Sequence, residues 1–210
     1  RREVLGIKHP DTLISMNNLA ALYQSQGEFK KAEPLYFEIL ALSKETQGLK
    51  HPNTLQYLNN LAVLYESQGL YEKAEPIYSE VLDLRKATLG LNHPETFDSL
   101  NNLALLYILQ GRYDQAEPMI IEALALRKKF LGIEHPDTLS SLNILGLLYD
   151  SQGHFEKAEP LYIETLALRK ETLGLKHPDT LISMNNLALL YKSQGRYEKA
   201  EPSLIKALAF

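Results

Sequence analysis

Apolar residues in the first fifty positions fall at Leu13, Met16, Leu19, Ala20, Leu22 and Tyr23, then at Phe29, Ala32, Tyr36, Ile39 and Leu40. Steps of three and four put each set on one side of a helix. The pattern predicts a first helix from about Pro10 to Ser25 and a second from about Glu28 to Thr46. Pro10 suits a first helical position, where its missing N–H is no loss, and Asp11 sets negative charge at the positive end of the helix dipole. Gly27 ends the first helix and Gly48 the second. In the second helix acids come early (Glu28, Glu33) and bases late (Lys44 here, Arg85-Lys86, Arg127-Lys128 and Arg169-Lys170 further on), the order the dipole favours. Pro34 falls near the sixth residue of that helix, where it removes a backbone hydrogen bond. The helix therefore either begins later than its pattern suggests or bends there toward water.

The same frame returns every 42 residues. His-Pro recurs at His9, His51, His93, His135 and His177, followed in register by Tyr23, Tyr65, Tyr107, Tyr149 and Tyr191, and by Ala32, Ala74, Ala116, Ala158 and Ala200. Pro34 returns as Pro76, Pro118, Pro160 and Pro202, and Gly48 matches Gly6, Gly90, Gly132 and Gly174. The stretch HPDTLISMNNLA at 9–20 is repeated without change at 177–188, four periods later, as a recent duplication would leave it. A period of roughly 20–50 residues marks an array in which each repeat stacks on its neighbours, because none can bury its apolar face alone. The chain therefore reads as one all-α repeat domain over 1–210, with repeats at about 1–42, 43–84, 85–126, 127–168 and 169–210.

Composition narrows the partners. Without cysteine there is no disulfide framework and no thiolate ligand or nucleophile. No apolar run is long enough to span a bilayer, so no membrane is expected and the setting expected is cytoplasmic. A net charge of -4 with mixed signs is poor equipment for binding a phosphate backbone, which excludes nucleic acid as the expected partner. The chain opens at Arg1 without methionine and closes at Phe210 inside a second helix, as a segment of a longer array would.

Leu19-Ala20, Tyr23, Gly27, Ala32 and Tyr36 reproduce the small-and-large pattern of the tetratricopeptide repeat, and the fourth repeat carries that family's Leu-Gly as Leu145-Gly146. The usual period is about 34 residues; the eight added here lie in a longer second helix with an LRK-x-TLG-x-x-HP ending. In this long form, with LNNLA-x-LY-x-SQG-x-Y-x-x-AEP-x-Y, the chain resembles the repeats of kinesin light chains and of similar arrays in multidomain microbial signalling proteins. The resemblance implies a right-handed α-solenoid of antiparallel helix pairs, with first helices lining a concave groove and second helices outside.

On a wheel of about 100° per residue, the first helix carries Ile14, Asn17, Asn18, Ala21, Gln24 and Ser25 opposite its apolar face. This side varies among the repeats while the core hardly does: Ala21, Val63, Leu105, Leu147 and Leu189 at one position, Gln24, Glu66, Ile108, Asp150 and Lys192 at another. Two asparagines interrupt the variation. Asn17, Asn59, Asn101, Asn143 and Asn185 occur in all five repeats, and Asn18, Asn60, Asn102 and Asn186 in four, with Ile144 the exception. Asparagine is a mediocre helix former. Its amide offers donor and acceptor together, which suits an extended peptide backbone; equally, it suits bonding to a neighbouring repeat. The resemblance implies the peptide role for these residues. Because each such bond contributes roughly 0.5–1.5 kcal/mol against an association cost on the order of 4–15 kcal/mol, an apolar anchor is also needed. Leu105, Ile108, Leu109 and Leu147 supply one in the third and fourth repeats, unless they extend the core instead.

No enzyme is legible. The linker histidines recur one per repeat, too far apart to share a metal, and suit capping or linker packing. His154 alone departs from that register. No serine stands with histidine and acid at motif spacing, no phosphate loop is present, and no cofactor or metal is implied. Glu33-type acids read as solvated helix-start residues. Two functions remain: a scaffold binding a protein or linear peptide in the groove, and an assembly module whose Arg1-end and Phe210-end faces, lacking a polar capping helix, stack end to end or pack on other domains of a larger signalling protein.

Overall fold

The computed structural model describes residues 2–208, with side chains from Val4 to Ile205. Every described element is an α-helix: α1 (Arg2–Leu5), α2 (Pro10–Ser25), α3 (Phe29–Thr46), α4 (Pro52–Ser67), α5 (Tyr71–Leu89), α6 (Pro94–Leu109), α7 (Tyr113–Leu131), α8 (Pro136–Ser151), α9 (Phe155–Thr172), α10 (Pro178–Ser193) and α11 (Tyr197–Leu208). The two expected helices of the first repeat are α2 and α3, the second starting one residue later than the periodicity suggests because Glu28 is its N-cap. The expected end faces at Arg1 and Phe210, and the Leu208 side chain, lie outside the described residues.

Helix starts are built by histidine. In all five linkers the imidazole Nδ1 accepts the backbone N–H two residues on, at 3.2–3.3 Å: Asp11 to His9, Asn53 to His51, Glu95 to His93, Asp137 to His135 and Asp179 to His177. Each bond satisfies one of the orphan donors of a helix N-terminus, with proline at the first helical position. The linker is tied back by threonine: Thr12 Oγ1 donates to the Gly6 carbonyl at 2.9 Å and Thr96 Oγ1 to that of Gly90 at 2.8 Å.

The turn between paired helices needs glycine. At Gly69 the backbone has φ +71°, and the flanking amides return to the end of α4, Gly69 N–H to the Glu66 carbonyl (2.8 Å) and Leu70 N–H to that of Tyr65 (2.9 Å). No atom lies within 4 Å of where a Cβ would stand, so an alanine there suffers only the left-handed backbone. Gly69→Ala is expected to cost about 1 kcal/mol, read as a shifted urea midpoint with unchanged slope.

Pro34 and its counterparts lie inside their helices at exposed positions. The lost bond is the one to the Lys30 carbonyl, at an exposed residue where water can replace it. A buried proline would leave that carbonyl orphaned.

The chain divides into two compact units, Arg1–Leu106 and Tyr107–Phe210. In the first, α2 packs on α3 and α4, α3 on α4, and α4 on α5. Its core includes Leu13, Ala20, Ala32, Tyr36, Ile39, Leu55, Ala62, Leu64, Tyr78 and Val81. In the second, α7 packs on α8, α8 on α9 and α10, and α9 and α11 on α10. Tyr162, Leu166, Met184, Leu187 and Leu190 form a cluster there. Small residues let each pair close, since Ala20, Ala32, Ala62 and Ala74 are all fully buried.

Three arginines that read as dipole-matching bases late in the second helix are core residues. Arg85 is 2% exposed; its Nη1 donates to Ser99 Oγ (2.9 Å) and to the Glu95 carbonyl (3.0 Å), its Nη2 to Gln56 Oε1 (3.3 Å), and Nη2 lies 3.2 Å from Glu95 Oε2. Arg127 repeats this with Ser141 and the Asp137 carbonyl, and Arg169 with Ser183 and the Asp179 carbonyl. Each stitches the end of one second helix to the start of the next first helix. Burial pulls the Arg85 guanidinium down from its ordinary range while Glu95 and Asp98 hold it up.

Candidate functional site

The first-helix face brings the asparagines together in pairs. Asn60 Nδ2 donates to Asn17 Oδ1 at 2.8 Å and Asn102 Nδ2 to Asn59 Oδ1 at 2.9 Å in the first unit; Asn186 Nδ2 donates to Asn143 Oδ1 at 2.9 Å in the second. The second asparagine of one repeat thus bonds to the first asparagine of the repeat before it, and Gln56 Nε2 adds a 2.9 Å bond to Asn60 Oδ1. Each pair uses one acceptor site and one N–H, where an amide has two N–H groups and a carbonyl with two lone pairs. Asn59 and Asn101 are buried, Asn17, Asn60, Asn102, Asn143 and Asn186 half-buried, and Asn18 and Asn185 exposed. Of the apolar candidates, Leu105 and Leu147 are half-buried, Leu109 is 46% exposed and Ile108 only 5%.

Beside the Asn60 amide lies an open cavity of about 350 Å³ in the first unit. Ala21, Gln24 and Ser25 of α2 form one wall, Asn60, Val63 and Ser67 of α4 the other, and Tyr36 the floor. Gln24 is satisfied inside it: Nε2 donates to Ser67 Oγ at 3.0 Å and Oε1 accepts from the Tyr36 hydroxyl at 3.3 Å. Of these positions, those of Ala21, Val63 and Gln24 vary among the repeats, while serine and asparagine recur at those of Ser25, Ser67 and Asn60.

The variation at Gln24 is matched one helix away. Where Gln24 faces Tyr36, the second repeat has Glu66 accepting from the Tyr78 hydroxyl at 2.8 Å, the fourth sets the Asp150 charge near Tyr162 without a hydrogen bond between them, and the third replaces both members by Ile108 and Ile120, both buried. Gly146 belongs to the same arrangement, because a Cβ there would meet the Tyr162 ring at 2.7 Å. Burial raises the Glu66 carboxyl above its ordinary 4.5 although the Tyr78 bond opposes the shift, and burial likewise raises Asp150. Tyr78 is driven upward by burial and by Glu66.

With the folded pKa of Glu66 above the unfolded one, the ionised side chain costs stability at neutral pH. That cost fades as pH falls through the folded value and is absent below the unfolded one. Glu66→Gln, which installs the residue of the first repeat, is expected to stabilise at pH 7 by on the order of 1 kcal/mol. The gain should vanish near pH 4 in parallel denaturation curves.

Glu33-type acids are not simply solvated. The Tyr65 hydroxyl donates to Glu33 Oε1 at 2.9 Å across the first two repeats, and Tyr149 to Glu117 Oε1 at 2.9 Å in the second unit. Burial, then the Glu33 bond and charge, push Tyr65 up to about 12. Arg196 grips Glu159 with two bonds, of 2.6 and 3.2 Å, and holds that carboxyl below its ordinary range. Sequence reasoning passed over these Tyr–Glu pairs and the buried arginines because the partners sit on different helix pairs; the recurrence of Arg and Ser at a spacing of 14 was the available signal.

Among the described residues, no three His, Asp or Glu side chains gather as a metal site, and no helix is long and apolar enough to cross a membrane.

The family model described as "Tetratricopeptide repeat" matches residues 1–45, 11–87, 53–129, 95–171 and 155–210. No curated protein sequence matches the chain significantly. Among solved structures, the kinesin light chain protein of Podosopora anserina with nearly identical TPR-like repeats is similar at 29% identity and a TM-score of 0.73, over 96% of this chain and 95% of that one. BtubC (BKLC) from P. vanneervenii is similar at 27% identity and a TM-score of 0.76, over 95% of this chain and 79% of that one. A Rap protein complexed with Competence and Sporulation Factor has a TM-score of 0.79 at 14% identity, over 99% of this chain and 60% of that one, a likeness of fold alone.

Proposed function

Because the chain belongs to the tetratricopeptide repeat family, we propose that it is a non-enzymatic protein-interaction scaffold that takes a linear peptide along the first-helix face of its repeats. The observation that carries this reading is the cavity of about 350 Å³ walled by α2 and α4, where Ala21, Val63 and Gln24, at positions that differ from repeat to repeat, stand beside the recurring Asn60, Ser25 and Ser67. Asn17, Asn18, Asn59, Asn60, Asn101 and Asn102, with Leu105, offer polar and apolar contacts in the first unit; Asn143, Asn185 and Asn186, with Leu109 and Leu147, do so in the second, whereas Ile108, buried in the core, is not available as an anchor. Amides already paired between helices are held in place, so a ligand's backbone meets preorganised groups. Micromolar affinity suits a few such bonds and one or two apolar anchors.

The test must separate binding from stability, since Asn59 and Asn143 also hold repeats together. Asn18 and Asn185 are exposed and make no hydrogen bond among the described residues, and serine is the resident residue at the register position of Leu109 in the other repeats. Random linear peptides are displayed against the chain and counter-selected against its Asn18→Ala, Leu109→Ser, Asn185→Ala form. Peptides kept only by the unaltered chain support the groove; failure to enrich any peptide, with both proteins folded, removes it.

Leu19 and Leu22 favour the second reading, end-to-end stacking. They are 41% and 51% exposed, whereas Leu61 and Leu64 at the same register are 4% and 0% exposed. If that face associates with another copy, Leu22→Glu reduces the sedimentation coefficient at high protein concentration, and an unchanged coefficient removes the reading.

A further inference from the structure

Resting on the peptide-groove reading, we propose that Glu66 in the first unit and Asp150 in the second are receptor sites for the Lys or Arg side chains of the bound segment. Glu66 and Asp150 occupy the register position of Gln24, at the wall of the cavity. Gln24 is internally satisfied, its amide N–H on Ser67 and its carbonyl under the Tyr36 hydroxyl. The two acids are not. Among the described residues Glu66 receives one bond, from Tyr78 to Oε2, and makes no ion pair. Its other oxygen is not among the buried atoms lacking a partner, so it is accessible. Asp150 has no side-chain hydrogen bond or ion pair among the described residues, and Ser193, at the register position of the Ser67 that serves Gln24, spends its hydroxyl on the Leu190 carbonyl.

The walls fit the same cargo. Val63 and Leu105 stand at the wall positions beside Glu66, and Leu147 and Leu189 at those beside Asp150, in place of the Ala21 and Val63 that line the observed cavity. All four are half-buried or exposed. An aliphatic wall with a carboxylate next to it matches a side chain whose stem is apolar and whose tip is cationic. A fixed, partly desolvated carboxylate gains more from a cation than a fully hydrated one does. Burial holds both acids above their ordinary range, a cost that an incoming cation reverses. The other positions of this register carry Gln24, Ile108 and Lys192, so within each unit a basic side chain is expected only at the acid, Glu66 in the first and Asp150 in the second.

The test uses the peptides that the full chain retains and its Asn18→Ala, Leu109→Ser, Asn185→Ala form loses. Their sequences are counted for Lys and Arg, and the two tightest are fluorescein-labelled and titrated by anisotropy against the chain and its Glu66→Gln and Asp150→Asn forms. Both substitutions are isosteric, and glutamine already stands at this register in the first repeat. Enrichment in Lys or Arg, with roughly tenfold weaker binding to at least one variant and a loss of affinity at 0.5 M salt for the unaltered chain, is expected. Groove-dependent peptides without basic residues, or with unchanged affinity for both variants, overturn the proposal while leaving the groove intact. No groove-dependent peptide at all overturns both.

Discussion

Arg85→Ser is expected to destabilise the chain by about 2–3 kcal/mol, and adding Ser99→Tyr to it is expected to recover at least about 1 kcal/mol of that loss. Removing the guanidinium strips Ser99, Gln56 and the Glu95 carbonyl of a donor and leaves Glu95 beside a void. Breaking a buried pair by deleting one partner is costly because the other partners stay desolvated. The rescue follows from the junction of α3 and α4, where Ser43 stands in place of the arginine and Tyr57 in place of the serine. There Ser43 Oγ lies 2.6 Å from Thr54 Oγ1 and Tyr57 is buried. Ser99→Tyr alone should overpack against Arg85 and cost about 1–3 kcal/mol. Arg85 Nε is buried without an acceptor, so the arginine solution is itself imperfect and the serine–tyrosine solution can compete with it. Urea denaturation of both single forms and the double form closes the cycle; additive losses would show that the two positions do not form one unit.

Leu64→Ala is expected to cost about 3 kcal/mol and Leu22→Ala less than about 1 kcal/mol, although the two leucines hold the same place in successive repeats. Leu64 is 0% exposed, because α4 is packed against both α2 and α3 of the repeat before it. Its truncation removes apolar contacts and leaves a cavity that rigid neighbouring helices cannot fill. Leu22 is 51% exposed, since among the described residues α2 has no helix of an earlier repeat against it. Its truncation mostly exchanges one solvated surface for a smaller one. Thermal melts of the two forms in one buffer separate the cases, and equal losses would mean that the Leu22 face is covered in solution.

Those two leucines show where the sequence stops. Their helices have the same residue type, the same register and matching bounds at His-Pro and glycine; only the packing differs. The asparagines are a similar case. Their recurrence was visible, and so were the two roles an amide could take, but the bond from Asn60 to Asn17 joins residues 43 positions apart. Neither side chain alone indicates which neighbour it meets. Glu33 looked solvated because its partner, Tyr65, lies on the next repeat, and Arg85 looked like a dipole base because its local position is that of one. At the junction of α3 and α4 the paired change to Ser43 and Tyr57 recorded the Arg–Ser contact, legible only once the contact is known.

By itself the sequence determined the 42-residue period, the helix pairs and their ends, because these rest on local physics: apolar spacing along one helix, proline and histidine at its start, and a glycine whose φ few other residues tolerate. Tertiary structure decided which copies of a repeated residue are buried, which carboxylates are paired, and which remain open on the first-helix face at Glu66 and Asp150. The reason is that burial and pairing in a stacked array belong to the contact between repeats, and a contact depends on both surfaces at once.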